Sequence, residues 1–254
     1  MTSATSTKVR SGDVEIAELC WFMRFRDGEV VQWCWRDRGA PPLDDLSAIR
    51  TPRSSSRNRH IPVSAYSTTN AGVVHLESGL EHDLVRRLDR DPTIRRMIAQ
   101  PLRLQWTATD PASHTPDLLT IHHSGAATVW DVRAVDEQDD DFRVKSRITR
   151  DACAIAGWRY EVFSGLETVE RMNLLWLHGF RRRPPWTDRY KNAILTMAAA
   201  GPVTLDALFG ADDGSEEIKP VVWHLLWAGD LCTDMKAPWT LHTAVTLASE
   251  VQHD

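Results

Sequence analysis

Four side chains near the middle of the chain have types and spacing suited to phosphodiester chemistry: Glu81, Asp117, Asp131 and Arg133. Pro116-Asp117, thirteen residues and then Asp131-Val132-Arg133 follow the PD-(D/E)-x-K pattern, with arginine in place of lysine. Asp131 and Arg133 are two apart on a predicted strand, so both project from one face. A three-residue loop at 124–126 sets Asp117 opposite Arg133 on that face, whereas a two-residue loop turns it to the other. Glu81 reaches the same edge from the preceding helix. Three carboxylates beside a cation offer hard oxygen ligands to Mg2+, with Mn2+ as a substitute, and leave positions open for water. Such a metal acidifies a bound water, polarises the phosphate and neutralises the leaving oxyanion.

Each residue also has a plainer explanation. Ser78-Gly-Leu-Glu81 fits a capping box, in which the glutamate turns back onto the helix start. Asp117 after proline suits a turn, and Asp131 with Arg133 suits an exposed strand pair. His114 has no second histidine at ligand spacing and reads as a loop hydrogen-bonder.

The elements that must position these residues follow from periodicity. Residues 13–37 predict a β-hairpin around Asp27-Gly28, a dipeptide that favours a type I′ turn. From Ser78, Leu80, Leu84, Val85 and Leu88 form one helical stripe that Asp91-Pro92 ends. A shorter helix is expected over 94–99, then strands over 102–108, 118–123 and 128–133, with 110–117 as a loop. The run 136–141 reads as a solvated acidic loop. The next helix has Val144, Ile148, Ala152, Ile155 and Ala156 on one face, with Gly157 beyond it. A strand over 158–164 and a helix over 166–180 complete an α/β core. After an arginine-rich linker at 181–185, three helices (188–200, 204–209, 219–228) and a pair of strands predict a winged helix-turn-helix. Neither GxGxxG nor GxxxxGK[ST] occurs.

The 254 residues, 42% hydrophobic, are enough to bury a sizeable core. Four cysteines without a CxxC pair point to reduced thiols, not to a disulfide scaffold or structural zinc. The polar start and the lack of a long apolar run predict a cytoplasmic protein with no membrane association. A net charge of −5 argues at first against nucleic acid, but it is unevenly distributed. Residues 1–183 hold 26 basic and 25 acidic side chains, and 184–254 hold four and ten. Between Asp45 and Glu77 no carboxylate interrupts Arg50, Arg53, Arg57 and Arg59. They suit a DNA-contacting arm, or equally a solvated loop.

Residues 61–183 resemble the catalytic domain of the TnsA-type endonuclease subunit of heteromeric transposases. The resemblance rests on His75-Leu-Glu-Ser-Gly-Leu-Glu81, Asp91-Pro92, Gln100-Pro101, His114-Thr-Pro-Asp117 and Val129-Trp-Asp-Val-Arg-Ala134, with Gly157-Trp158 and the arginines before Pro184. It implies a restriction-endonuclease-like α/β core at 61–183, an N-terminal hairpin and basic arm at 1–60, and a winged-helix partner-docking domain at 184–254. Glu81 and Asp117 match the family's catalytic carboxylates, Asp131 stands beside the metal, and Arg133 replaces the catalytic lysine. Arginine stays protonated, so base work falls to metal-bound hydroxide, a carboxylate or the substrate phosphate. Lys145 is a candidate substitute cation. The implied activity is nicking of the 5′ strands of double-stranded transposon ends, beside a DDE transposase and an AAA+ ATPase regulator docked on the C-terminal domain. A catalytically inactive DNA-and-protein adaptor and a stand-alone nuclease of a defence system are the alternatives.

Overall fold

The computed structural model describes residues 9–11, 14–16, 18–50, 63–107 and 111–248. They form two compact units, one running to Leu84 and resuming at Thr93–Gly165, the other joining Val85–Pro92 to the chain from Leu166.

The first unit begins with a short antiparallel pair, β1 (Val9–Ser11) and β2 (Val14–Ile16). The predicted hairpin follows as β3 (Glu18–Phe25) and β4 (Val30–Trp33). Its turn is not type I′, which needs two residues with positive φ. Only Gly28 takes a positive φ there, +87°, and its amide donates to the Phe25 carbonyl, giving a three-residue loop with a glycine bulge. Next come α1 (Trp35–Arg38), β5 (Leu46–Ser47), the hairpin β6 (Val63–Ser67) and β7 (Gly72–Leu76), and α2 (Gly79–Leu88). The remaining elements are β8 (Ile94–Ala99), β9 (Leu102–Thr107), β10 (Pro111–His114), β11 (Leu118–His122), β12 (Ala127–Val132), α3 (Asp140–Ile155) and β13 (Arg159–Phe163).

Residues 94–99 are therefore a strand, not the short helix expected. Their spacing suits either state, and pairing with β11 satisfies their backbone as a strand. Residues 111–114, expected in a loop, are also a strand, paired with β9. Two sheets result. In one, β8, β11 and β12 run antiparallel, and β13 joins β12 in parallel because α3 carries the chain across. The other has the order β10-β9-β3-β4, with β5 also on β3.

Leu119, Ile121 and Val129 of the first sheet, Met23, Leu102 and Leu104 of the second, and Ile148 and Ala152 of α3 share one buried core. The N-terminal hairpin thus packs within this unit. Trp21, Trp35 and Trp158 meet edge to face, with centroids 5.1–5.8 Å apart. The acidic run at 136–141 is only partly loop: Asp139 caps α3 by accepting from the Phe142 amide at 2.8 Å, and Asp140 and Asp141 lie in its first turn. Ile155, expected on the buried stripe, is exposed.

The second unit contains α4 (Thr168–His178), α5 (Thr187–Ala199), β14 (Val203–Thr204), α6 (Leu205–Gly210), α7 (Ile218–Ala228), β15 (Leu231–Cys232) and β16 (Ala244–Leu247). The strands form an antiparallel sheet in the order β14-β16-β15. Leu174 and Leu177 of α4 lie in one core with Ile194, Val221, Leu225 and Leu226. The break between the units consequently falls at Gly165, not before Pro184. Among the described residues no helix is long and apolar enough to cross a membrane.

Candidate active site

Asp117 stands where three strands of the first unit meet. Its amide donates to the Trp130 carbonyl at 3.0 Å, and its own carbonyl accepts from the Gln100 amide at 2.9 Å. Its Oδ2 accepts from the Val132 amide at 2.7 Å. The β11–β12 loop is one residue earlier than expected: His122 N donates to the Ala126 carbonyl, and Gly125 takes φ +87°. The paired register ends at Leu118 opposite Trp130, and Asp117, just before it, bonds to Trp130 and Val132 and not to the expected Arg133.

Arg133 is drawn away from the carboxylates. Its Nε donates to the Glu137 carbonyl at 3.0 Å, and the guanidinium lies over Phe142, 5.9 Å from the ring centroid. Lys145 is likewise engaged, by Asp141 one turn earlier at 2.6 Å. Arg50 is the cation that borders the cluster. Its Nε donates to Gln100 Oε1 at 2.9 Å and its guanidinium pairs with Glu77 at 3.2 Å. Arg53, Arg57 and Arg59 lie outside the described residues.

Glu81 sits at the third position of α2. Ser78 Oγ accepts from the Glu81 amide at 3.1 Å and donates to Glu81 Oε1 at 2.9 Å, while the Glu77 amide donates to Oε2 at 2.9 Å. The capping arrangement is therefore formed, and it holds the carboxylate in one buried position. Burial raises its pKa, against the Glu77 amide and the Ser78 hydroxyl. Asp117 is raised well above the ordinary carboxylate range, first by burial and then by the charges of Asp131 and Glu81. The charges of two carboxylates from other elements thus act on Asp117.

Asp131 is fully buried, with both oxygens engaged. His114 Nε2 lies 2.8 and 2.9 Å from its two oxygens, and the Tyr160 hydroxyl donates to Oδ2. Ser146 Oγ stands 3.0 Å from the Tyr160 oxygen. Burial and the neighbouring Asp131 charge push the Tyr160 hydroxyl upward and raise the Cys153 thiol to about 12, so both stay protonated. His114 is thus no isolated loop residue. It links the second sheet to the first through Asp131.

Among the described residues no group of three or more His, Cys, Asp or Glu side chains is arranged to hold a metal ion. Two observations nevertheless suit a hard cation here. The mutual repulsion of Asp117 and Glu81 is what a divalent ion relieves, and carboxylate oxygens are its preferred donors. Beside them, Gln100 is fully buried with Nε2 lacking a protein partner, and its φ of +48° is unfavourable for a residue other than glycine. An unpartnered buried donor suits a water or an oxygen of a ligand. Asp131, with both oxygens engaged, does not fit as a ligand in this arrangement. Tyr160 was not visible as a site residue, because it joins the cluster through a contact distant in sequence; Glu77 and Gln100 lay within the His75–Glu81 and Gln100-Pro101 stretches of the family resemblance without being assigned a role. No family model and no curated protein matches this chain.

Proposed function

We propose that the first unit is a divalent-metal-dependent DNA endonuclease, acting as the subunit of a heteromeric transposase that nicks the 5′ strands at transposon ends. The observation that carries this reading is the electrostatic coupling of Asp117 to Asp131 and Glu81, three carboxylates delivered by separate elements to one end of a sheet. The order helix, three antiparallel strands, crossover helix and parallel strand supports a restriction-endonuclease-like core around it.

In this reading Asp117 and Glu81 hold Mg2+ or Mn2+. When bound, the metal acidifies a coordinated water and neutralises the leaving oxyanion. The protein's own contribution is rigidity. The Val132 amide fixes Asp117, the Ser78 cap fixes Glu81, and Asp131 acts as a positioning residue that ties His114 and Tyr160 behind them. Arg133, engaged by Glu137, stabilises the loop after β12, and Arg50 is a cation whose charge acts on Glu81. The basic residues Arg53, Arg57 and Arg59 extend the DNA-contacting arm.

The second unit is read as a winged-helix module that docks the DDE transposase and the AAA+ ATPase. The four basic against ten acidic residues at 184–254 support a protein partner over nucleic acid there, as does Trp176, 53% exposed beside Trp223. An adaptor without catalysis is the second reading, favoured by the engagement of Arg133 and Asp131. Nicking of a supercoiled plasmid in Mg2+ or Mn2+, with and without a transposase partner, separates the two. Endonuclease action predicts nicked product that Asp117→Ala lowers by about 100-fold or more. Equal cleavage by that variant overturns the site, and DNA binding without any nicking favours the adaptor.

A further inference from the structure

A cleft of about 490 Å³ opens in the first unit between β5 and the residues after it, the β6–β7 hairpin and the edge strand β8. Four arginines line it, Arg26, Arg50, Arg95 and Arg96, and its described wall contains no aspartate or glutamate. Two of the four are built into the wall. Arg96 donates to the carbonyls of Leu43, Asp44 and Leu46, and Arg95 donates to the His122 carbonyl and pairs with Asp44. Their guanidinium groups are thereby held in place. Burial and the nearby Arg26 and Arg95 charges lower the pKa of Arg96, with Asp44 and Asp45 acting the other way. The remaining two stand at the mouth. Arg26 is exposed, and the Arg50 side chain is 53% exposed while its Nε reaches Gln100.

The hairpin forms the opposite lip. Asn70 clamps it to β8 by accepting from the Met97 amide at 2.9 Å and donating to the Met97 carbonyl at 2.8 Å. That pairing covers part of an open sheet edge. Val73 and its cross-strand partner Tyr66 are both exposed on this hairpin. Like-charged guanidinium groups in a concavity attract an anion of matching spacing, and fork-shaped donors suit phosphate oxygens. Arg50 joins the cleft to the carboxylates, because it also pairs with Glu77, whose amide holds Glu81.

We propose that this cleft is the track of the DNA sugar-phosphate backbone, leading the strand toward Asp117 and Glu81. Arg26 and Arg50 contact phosphates at the mouth, and Arg95 and Arg96 supply fixed positive charge in the wall. The assignment rests on the endonuclease reading and adds to it the path of the substrate.

The test is fluorescence anisotropy of the full chain with a labelled mixed-sequence duplex in EDTA, titrated with salt over a fourfold range. Each lost phosphate contact is expected to lower the steepness of log K against log salt by about 0.9, roughly a threefold smaller change in affinity over that range. Arg26→Ala and Arg50→Ala should each show this and the pair about twice as much, while Arg26→Lys retains most of the slope. Arg143→Ala, at an exposed position of α3 and paired with Asp140, should leave the slope unchanged. Thermal melts of each variant report its folding, and Arg26, exposed at the mouth, is the one whose loss least disturbs the wall. Unaltered slopes in the cleft variants overturn the track, as does an equal fall in Arg143→Ala. Displacement of the duplex by inorganic phosphate at constant ionic strength also overturns it, leaving a single-anion pocket. If the cleft sets the slope but no metal supports cleavage, the track stands and the endonuclease fails. If Asp117→Ala loses cleavage while slopes do not move, the reverse holds.

Discussion

The chain carries two acidic clusters made of the same side chains in opposite electrostatic states. In the second unit, Asp212 accepts from the amides of Gly214, Glu216 and Ile218 at 2.8–3.2 Å. Asp213 accepts from the Ser215 amide and the Tyr190 hydroxyl and pairs with Arg189, which also reaches Glu217 at 3.1 Å. Desolvation works against Asp212, but these amide bonds together lower its pKa; Ser215, Tyr190 and Arg189 lower that of Asp213. In the first unit, Asp117 and Glu81 are shifted the other way, Asp117 by burial and the charges of Asp131 and Glu81, and Glu81 by burial. One cluster is a solved loop. The other keeps an unfavourable concentration of charge beside an orphaned donor and a strained backbone, the pattern expected where a ligand completes the structure.

The largest expected difference between the clusters is catalytic. Asp117→Ala should reduce metal-dependent nicking by about 100-fold or more, and Asp213→Ala should leave it unchanged. A plasmid assay with both variants checks this, and equal losses would remove the distinction.

Next in size is the cost of opening the network behind the site. Tyr160→Phe leaves the buried Asp131 short of a donor and should destabilise the fold by about 1–3 kcal/mol in urea unfolding. The corresponding Tyr190→Phe, whose carboxylate partners keep Arg189 and amide donors, should cost less.

The smallest effects have opposite signs. Between the unfolded aspartate value of about 3.9 and its raised folded value, Asp117 binds more protons folded than unfolded. Its ionisation therefore removes stability as pH rises through the folded pKa. Without divalent metal, Asp117→Asn should melt above the parent at mildly alkaline pH, and the difference should close in acid. Asp213, with a lowered pKa, contributes stability above the unfolded value that is lost as pH falls through the folded one. Asp213→Asn should therefore melt below the parent at the same alkaline pH and converge with it in acid. Calorimetric melts across pH check both, and shifts of one sign would contradict the comparison.

Much of the frame around the first cluster was legible in the sequence. The stripe through Leu84, Val85 and Leu88 gave α2 with Glu81 in its first turn, and Pro116 followed by a β-rich run placed Asp117 at a strand start. What escaped was set by contacts distant along the chain. Ile94-Arg-Arg-Met-Ile-Ala99 satisfies helical and extended spacing equally, and only β11 decides between them. Whether the β11–β12 loop began at 123 or 124 depended on where Gly125 took its positive φ, and that choice set Leu118 opposite Trp130. No local pattern announces that Arg50 reaches Gln100 across fifty residues. The second unit's sheet was legible in part, since β14 is only two residues long and pairs with β16 forty residues later.

Titration of the full chain with Mn2+ by calorimetry tests the central claim most directly. A metal site at Asp117 and Glu81 predicts a saturable binding isotherm for the parent, its loss in Asp117→Asn and its retention in Asp213→Asn. An isotherm that Asp117→Asn leaves intact would contradict the account, as would no binding by the parent.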